Sequence, residues 1–179
     1  MYNGDDILFG ETGYIIGQIL SIVAVILGFI SFQMKNPKGL LVFQTATALV
    51  FATHYLMIGA FTAVALNFLA AVKCVCYYIR NKHESKNMIT PIFFTALIVV
   101  TSIMTWDGWY SVFIMAGLVI NSIAFSLSDA QTIRKLNLIK APLCLFYNIA
   151  VLSVGGIIYE SATFISSVIG RIKNRKSKN

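Results

Sequence analysis

The sequence predicts an all-α membrane protein. It has seven transmembrane helices in a 3+1+3 arrangement of two parallel three-helix-bundle repeats, N-terminus outside and C-terminus cytoplasmic. Three observations carry this. First, 58% of the 179 residues are hydrophobic and only 12% are charged, with a mean hydropathy of +0.77. A soluble domain of that length is typically about 25% charged. It could not hide so much apolar surface, so the solvent is lipid. Second, the fourteen Lys and Arg residues fall in every second gap between apolar stretches, with Lys73 alone inside one. That is the positive-inside pattern of a multi-span protein. Third, an offset of about 93 residues superimposes the pattern of the first three stretches on that of the last three.

The elements follow in order. Residues 1–13 form an extracytoplasmic segment with acids (Asp5, Asp6, Glu11) where a secretory signal would carry bases, so the first span is retained. Span one covers about 14–33. The basic turn MKNPKG, with Lys35 and Lys38, leads into span two at about 40–58, and Pro37 suits the start of a helix. Gly59 and Ala60 make an uncharged turn into span three, about 61–78, which ends at Arg80. Residues 81–87, with Lys82, Glu84 and Lys86, are a cytoplasmic linker. Span four, a linker helix within 88–106, precedes the turn WDGW. Trp106 and Trp109 there suit a membrane interface. Span five covers about 110–127. The gap SDAQTIRK, which also carries Asp129, leads to span six at about 136–154. Arg134, Lys135 and Lys140 are read as the bases of this gap. Gly155 and Gly156 make the turn into span seven, about 157–172, and a basic cytoplasmic tail occupies 173–179. The first repeat is thus 14–80 and the second 107–172. Gly59 is expected to correspond to Gly155 and Gly156. A three-helix unit followed by one extra crossing restarts on the same side, which makes the repeats parallel.

Three motif regions carry a resemblance: GFISFQMKNPKGLLVFQ at 28–44, HYLMIGAFTAVALNF at 54–68 and YNIAVLSVGGIIYESATF at 147–164. The chain resembles the bacterial inner-membrane YgjV family, within the superfamily of SWEET and PQ-loop sugar transporters. The resemblance implies a fold and a location, the bacterial cytoplasmic (inner) membrane, rather than a substrate. SWEET-like proteins carry a Pro-Gln pair at the end of the first helix of each repeat. Here those positions read Phe32-Gln33 and Phe125-Ser126, which argues against a hinge of that kind. The sugar carriers also place an Asn on the third helix of each repeat. Asn67 takes that place here, and Glu160 stands at the matching position of the second repeat. The change argues against neutral sugar chemistry.

Ionisable groups at membrane depth are expensive, roughly 2.5–3.5 kcal/mol on insertion scales, and usually face a cavity or a partner. Glu160 is read either as a central-site acid opposite Asn67, able to carry a proton or pair with a cation, or as an interfacial acid near a helix start. Lys73 is expected to snorkel to the surface on its long stem, with substrate contact as the alternative. His54 is read as a buried neutral side chain bonded to a neighbouring helix, or as a proton relay. Its counterpart at offset 93 is Tyr147, so His54, Tyr55, Tyr147 and Asn148 are candidate walls of one cavity. Gln18, Gln44, Asn121, Ser161, Thr163, Ser166 and Ser167 either glue helices together or line a pore.

Cys74, Cys76 and Cys144 are read as apolar packers, because two positions apart on a helix point about 200° apart and cannot share an ion. No nucleotide-binding, nucleophile or metal string is present, so no enzymatic activity, metal or cofactor is expected. The net charge of +7 lacks the aromatic platform of a nucleic-acid binder. The expected partners are the lipid bilayer and a small polar solute, with a homo-oligomer left open. The functional expectation is a small-solute transporter with a site between the repeats. The alternative is a non-transporting receptor or assembly factor that uses the same fold and docks through the tail RIKNRKSKN.

Overall fold

Long runs of Leu, Ile, Val, Phe and Ala with few breakers make helices, because in lipid each backbone N–H and C=O must be satisfied within its own segment. The computed structural model describes residues 10–34, 37–80, 89–125 and 130–176. Lys35, Asp5, Asp6, the linker 81–87, Asp129 and the end of the tail lie outside the described residues. The helices are α1 (Gly10–Gln33), α2 (Pro37–Met57), α3 (Phe61–Arg80), α4 (Ile89–Met104), α5 (Ser111–Phe125), α6 (Ala130–Ala150) and α7 (Val154–Lys176). Pro37 opens α2, where its missing N–H costs nothing.

Two stretches, Gly10–Ser31 and Phe61–Ile79, are long and apolar enough to cross a membrane on those grounds alone. Leu41–Met57, Ile89–Met104, Ser111–Ala124 and Val154–Ile169 are apolar but shorter. The seven helices among the described residues agree with the expected number, and Gly10–Ser31 and Phe61–Ile79 are the ones whose length and composition alone mark them as spans. The clearest shift is in α6, which begins at Ala130 rather than near residue 136 and takes in Lys140.

The distribution of polarity is inside-out relative to a soluble protein. Ile15, Ile19, Ile26, Ile92, Ile103 and Phe146 are exposed, whereas Ser21, Ser31, His54, Thr62, Ser102, Ser111, Ser122 and Ser153 are fully buried. An outer surface of this kind fits lipid. The buried hydroxyls act between or within helices, as Ser122 does toward the Pro91 carbonyl at 3.4 Å. Trp106 and Trp109 stand exposed on the turn between α4 and α5, where headgroups suit them.

Neighbours in the chain are neighbours in space. α1 packs on α2 and α2 on α3; α5 packs on α6 and α6 on α7. α4 touches α3 and α5, and α1 touches α7. The short connections make consecutive helices antiparallel.

Two turns are built alike. After α2, Ile58 N donates to His54 O at 3.1 Å, Gly59 N to Leu56 O at 3.2 Å and Ala60 N to Tyr55 O at 2.9 Å. After α6, Val151 N donates to Tyr147 O at 3.0 Å, Leu152 N to Ile149 O at 3.2 Å and Ser153 N to Asn148 O at 2.9 Å. Each residue stands 93 positions from its counterpart, the separation that also relates Tyr55 to Asn148. The left-handed residue is Gly59 (φ 75°) in one turn and Leu152 (φ 54°) in the other. The structural match of Gly59 is therefore Leu152, not Gly155 or Gly156, which lie in the first turn of α7. Their small size serves a different purpose. A Cβ on Gly155 would collide with the Ser21 side chain and come within 2.7 Å of its backbone.

Candidate functional site

A cavity of about 430 Å³ lies among α2, α3, α5, α6 and α7, a size within the usual range for small-molecule sites. α2 contributes Gln44, Thr47, Phe51 and Tyr55 to its wall, and α3 contributes Asn67 and Ala70. α6 contributes Asn137, Lys140, Cys144 and Asn148, and α7 contributes Glu160 and Thr163. These fall into pairs at the same separation of 93: Gln44 with Asn137, Thr47 with Lys140, Phe51 with Cys144, Tyr55 with Asn148, Asn67 with Glu160, and Ala70 with Thr163. α5 adds Ile114, Leu118 and Asn121. Among the described residues, none of α1 or α4 belongs to the lining.

The charged centre is an ion pair that sequence reasoning missed. Lys140 Nζ donates to Glu160 Oε1 at 2.8 Å and to Oε2 at 3.0 Å. Both residues are 7% exposed. The sequence reading placed Lys140 in a solvated basic gap. In the structure it lies mid-helix and buried, paired with Glu160 of α7. The available signal was spacing. Lys140 stands well inside a stretch whose apolar residues resume at Leu136, just as Lys73 stands inside α3. Lys73 is also buried, at 3% exposure, so the snorkelling expectation is corrected. Cys74 beside it is buried, which puts that turn of α3 against the interior rather than lipid.

Four of the predicted site residues, Asn67, Glu160, Tyr55 and Asn148, line this one cavity. His54 and Tyr147 do not. His54 Nδ1 lies 2.8 Å from Gly17 O and its Nε2 lies 2.7 Å from Ser153 Oγ, so the imidazole joins α1, α2 and the turn before α7. Tyr147 is fully buried in an aromatic cluster, meeting the Tyr55 ring edge-on and the Tyr110 ring at a tilt. Of the polar residues read as glue or lining, Gln44, Asn121 and Thr163 reach the cavity, while Gln18 is glue.

The wall differs between its two ends. Near the turns at 58–60 and 151–153, hydrogen bonds tie the first three helices to the last three. Tyr55 Oη donates to Asn148 Oδ1 at 2.5 Å. Gln18 Nε2 donates to Leu152 O at 2.8 Å, and Val154 N donates to Gln18 Oε1 at 3.0 Å. Gly155 N donates to Ser21 Oγ at 3.1 Å. Thr62 N donates to Asp107 Oδ2 at 2.7 Å, while the Thr62 hydroxyl bonds Thr105 O and meets Ser111 Oγ. Thr62 and Gly155 are again 93 apart, and each finds an outside partner for an N–H that a helix start leaves orphaned. Lining residues toward this end, including Phe51, Tyr55 and Ile114, are buried. Toward the opposite end Gln44, Asn121, Asn137 and Thr163 are half-exposed. Several lining side chains are thus more exposed toward the end where Lys38 and Lys135 sit than near the base-free turns.

A family model described as a bacterial inner membrane protein, Imp-YgjV, matches residues 15–178, nearly the whole chain. The chain belongs to the YgjV family of bacterial inner membrane proteins. Membership places it in the inner membrane, and the helical structure with its apolar exterior fits a multi-pass protein there. No curated protein and no solved structure matches the chain. For this YgjV family member, the cavity and its ion pair are therefore the direct guide to chemistry.

Proposed function

We propose that the protein carries a small polar solute across the inner membrane. In this reading the chain is two parallel three-helix repeats, α1–α3 and α5–α7, joined by α4. The N-terminus lies outside and the C-terminus in the cytoplasm. The solute sits in the central cavity, and the two repeats rock around it. The observation that carries the reading is the pairing of the cavity wall at one separation, with Tyr55 bonded to Asn148 between the halves near the base-free end. Supporting it, the hydrogen bonds between the halves gather at the base-free end, while Gln44, Asn121, Asn137 and Thr163 toward the basic end are half-exposed. By the positive-inside rule the basic end is cytoplasmic, which makes this an inward-facing arrangement.

The test is uptake of labelled polar solutes by proteoliposomes against protein-free vesicles. At least one solute accumulates in a protein-dependent way. A bulky maleimide on Thr163→Cys, placed in a background without Cys74, Cys76 and Cys144, stops it. A broad library with no protein-dependent flux would sink the carrier reading. A tight protein partner lost on removal of residues 171–179 would support a docking role instead.

A further inference from the structure

We propose that the cavity binds a small zwitterion, a molecule with one ammonium and one carboxylate, which exchanges partners with the Lys140–Glu160 pair. This rests on the carrier reading and narrows it to a solute class.

The two charges are cavity wall rather than remote scaffold, for both residues line the space. Together they are neutral, so a lone anion or a lone cation meets no net attraction. A cation that took Glu160 would also strand Lys140 in a low-dielectric wall, and a buried charge without its partner is strongly unfavourable. A zwitterion avoids this. Its ammonium takes Glu160 and its carboxylate takes Lys140, and every charge is paired by charge-assisted hydrogen bonds before and after. No proton or electron moves and no covalent bond changes.

The facing wall fits the rest of such a molecule. The positions opposite the ion pair in the 93-residue register are Thr47 and Asn67, both uncharged, and the other buried charge of α3, Lys73, is not part of the lining. Asn67 Nδ2 donates to Ala63 O at 2.9 Å, and its Oδ1 has no hydrogen bond among the described residues. Asn121 and Asn137 offer further amides to polar substituents. The rings of Phe51, Tyr55 and Tyr159 supply an apolar flank and faces that attract an ammonium. A neutral polyol would use the amides and leave the ion pair idle.

The test uses the purified full-length protein in lipid nanodiscs, probed with the common zwitterionic α-amino acids by thermal shift and then by calorimetry. At least one amino acid raises Tm and binds saturably. The matched amine without the carboxylate, and the matched acid without the amine, each bind at least tenfold more weakly to the same wild-type protein. The double variant Lys140→Met/Glu160→Gln, which leaves neither charge unpaired, keeps a cooperative thermal transition and loses binding. The proposal is overturned if no amino acid binds, if either charge-stripped analogue binds as tightly, or if the folded double variant binds as before. The analogue comparison decides even if that variant does not fold. Saturable binding without flux would sink the carrier reading alone. Flux of an uncharged solute, with no amino acid bound or inhibiting, would sink this proposal alone.

Discussion

Lys140 and Glu160 show how a single side chain changes its meaning with depth. At a surface their 2.8 Å contact would be worth little. Buried, the pair is a weak source of stability, yet breaking it is costly because the survivor keeps its charge. Glu160→Gln is expected to destabilise the protein by about 3–5 kcal/mol. The double variant Lys140→Met/Glu160→Gln should recover most of that loss. Equilibrium unfolding in mild detergent reads both values, and equal loss in the single and double variants would contradict the account. Leu152 offers a second residue-scale prediction. Its left-handed φ of 54° costs a non-glycine residue roughly 1–2 kcal/mol. Leu152→Gly, at an exposed position, should therefore raise stability by about 0.5–1 kcal/mol after the added chain entropy is subtracted. The opposite substitution in the sister turn, Gly59→Leu, should lower it. Sequence gave no sign of the first site, since a leucine does not announce a left-handed turn. The hydrogen bonds that Leu152 O accepts from Tyr14 and Gln18 help to hold it there.

At the scale of elements, the seam between α1 and α7 depends on small residues. A Cβ on Gly28 would approach the Tyr159 ring to 2.5 Å, and one on Gly155 would press on the Ser21 backbone. Gly155→Ala should destabilise by about 1–3 kcal/mol, as overpacking against backbone does. Gly39→Ala is the control. The described atoms nearest its new Cβ belong to the Met34 side chain, at ordinary contact distances. It should leave Tm unchanged or slightly higher, since alanine favours helix over glycine. The helix count and order were legible, because apolar runs punctuated by Pro37, Gly59 and the WDGW turn signal helices and breaks. The start of α6 was not. TIRK reads as a loop by charge, yet the helix runs through it from Ala130.

For the whole molecule, the expected topology puts the turn at 105–110 outside and the start of α2 inside. In intact cells an impermeant maleimide should label Trp109→Cys and spare Lys38→Cys, both in the cysteine-free background. Labelling of Lys38→Cys from outside would reverse the orientation, and the inward-facing reading with it. Part of the central site was foreseeable. The offset of about 93 put Asn67 opposite Glu160 and Tyr55 opposite Asn148, and all four line one cavity. His54 and Tyr147 obeyed the same offset yet fell outside the lining, since a periodic pattern fixes position along a helix but not which neighbour a side chain meets. The sequence by itself determined the solvent, the helices and the membrane, because apolar content and the placement of bases are properties of residues taken in order. Only the tertiary structure decided that Lys140 meets Glu160, that His54 joins Gly17 of α1 to Ser153, and that the bonds between the halves gather near the base-free turns. Those outcomes depend on how the helices rotate and lean against one another, and no linear pattern records that.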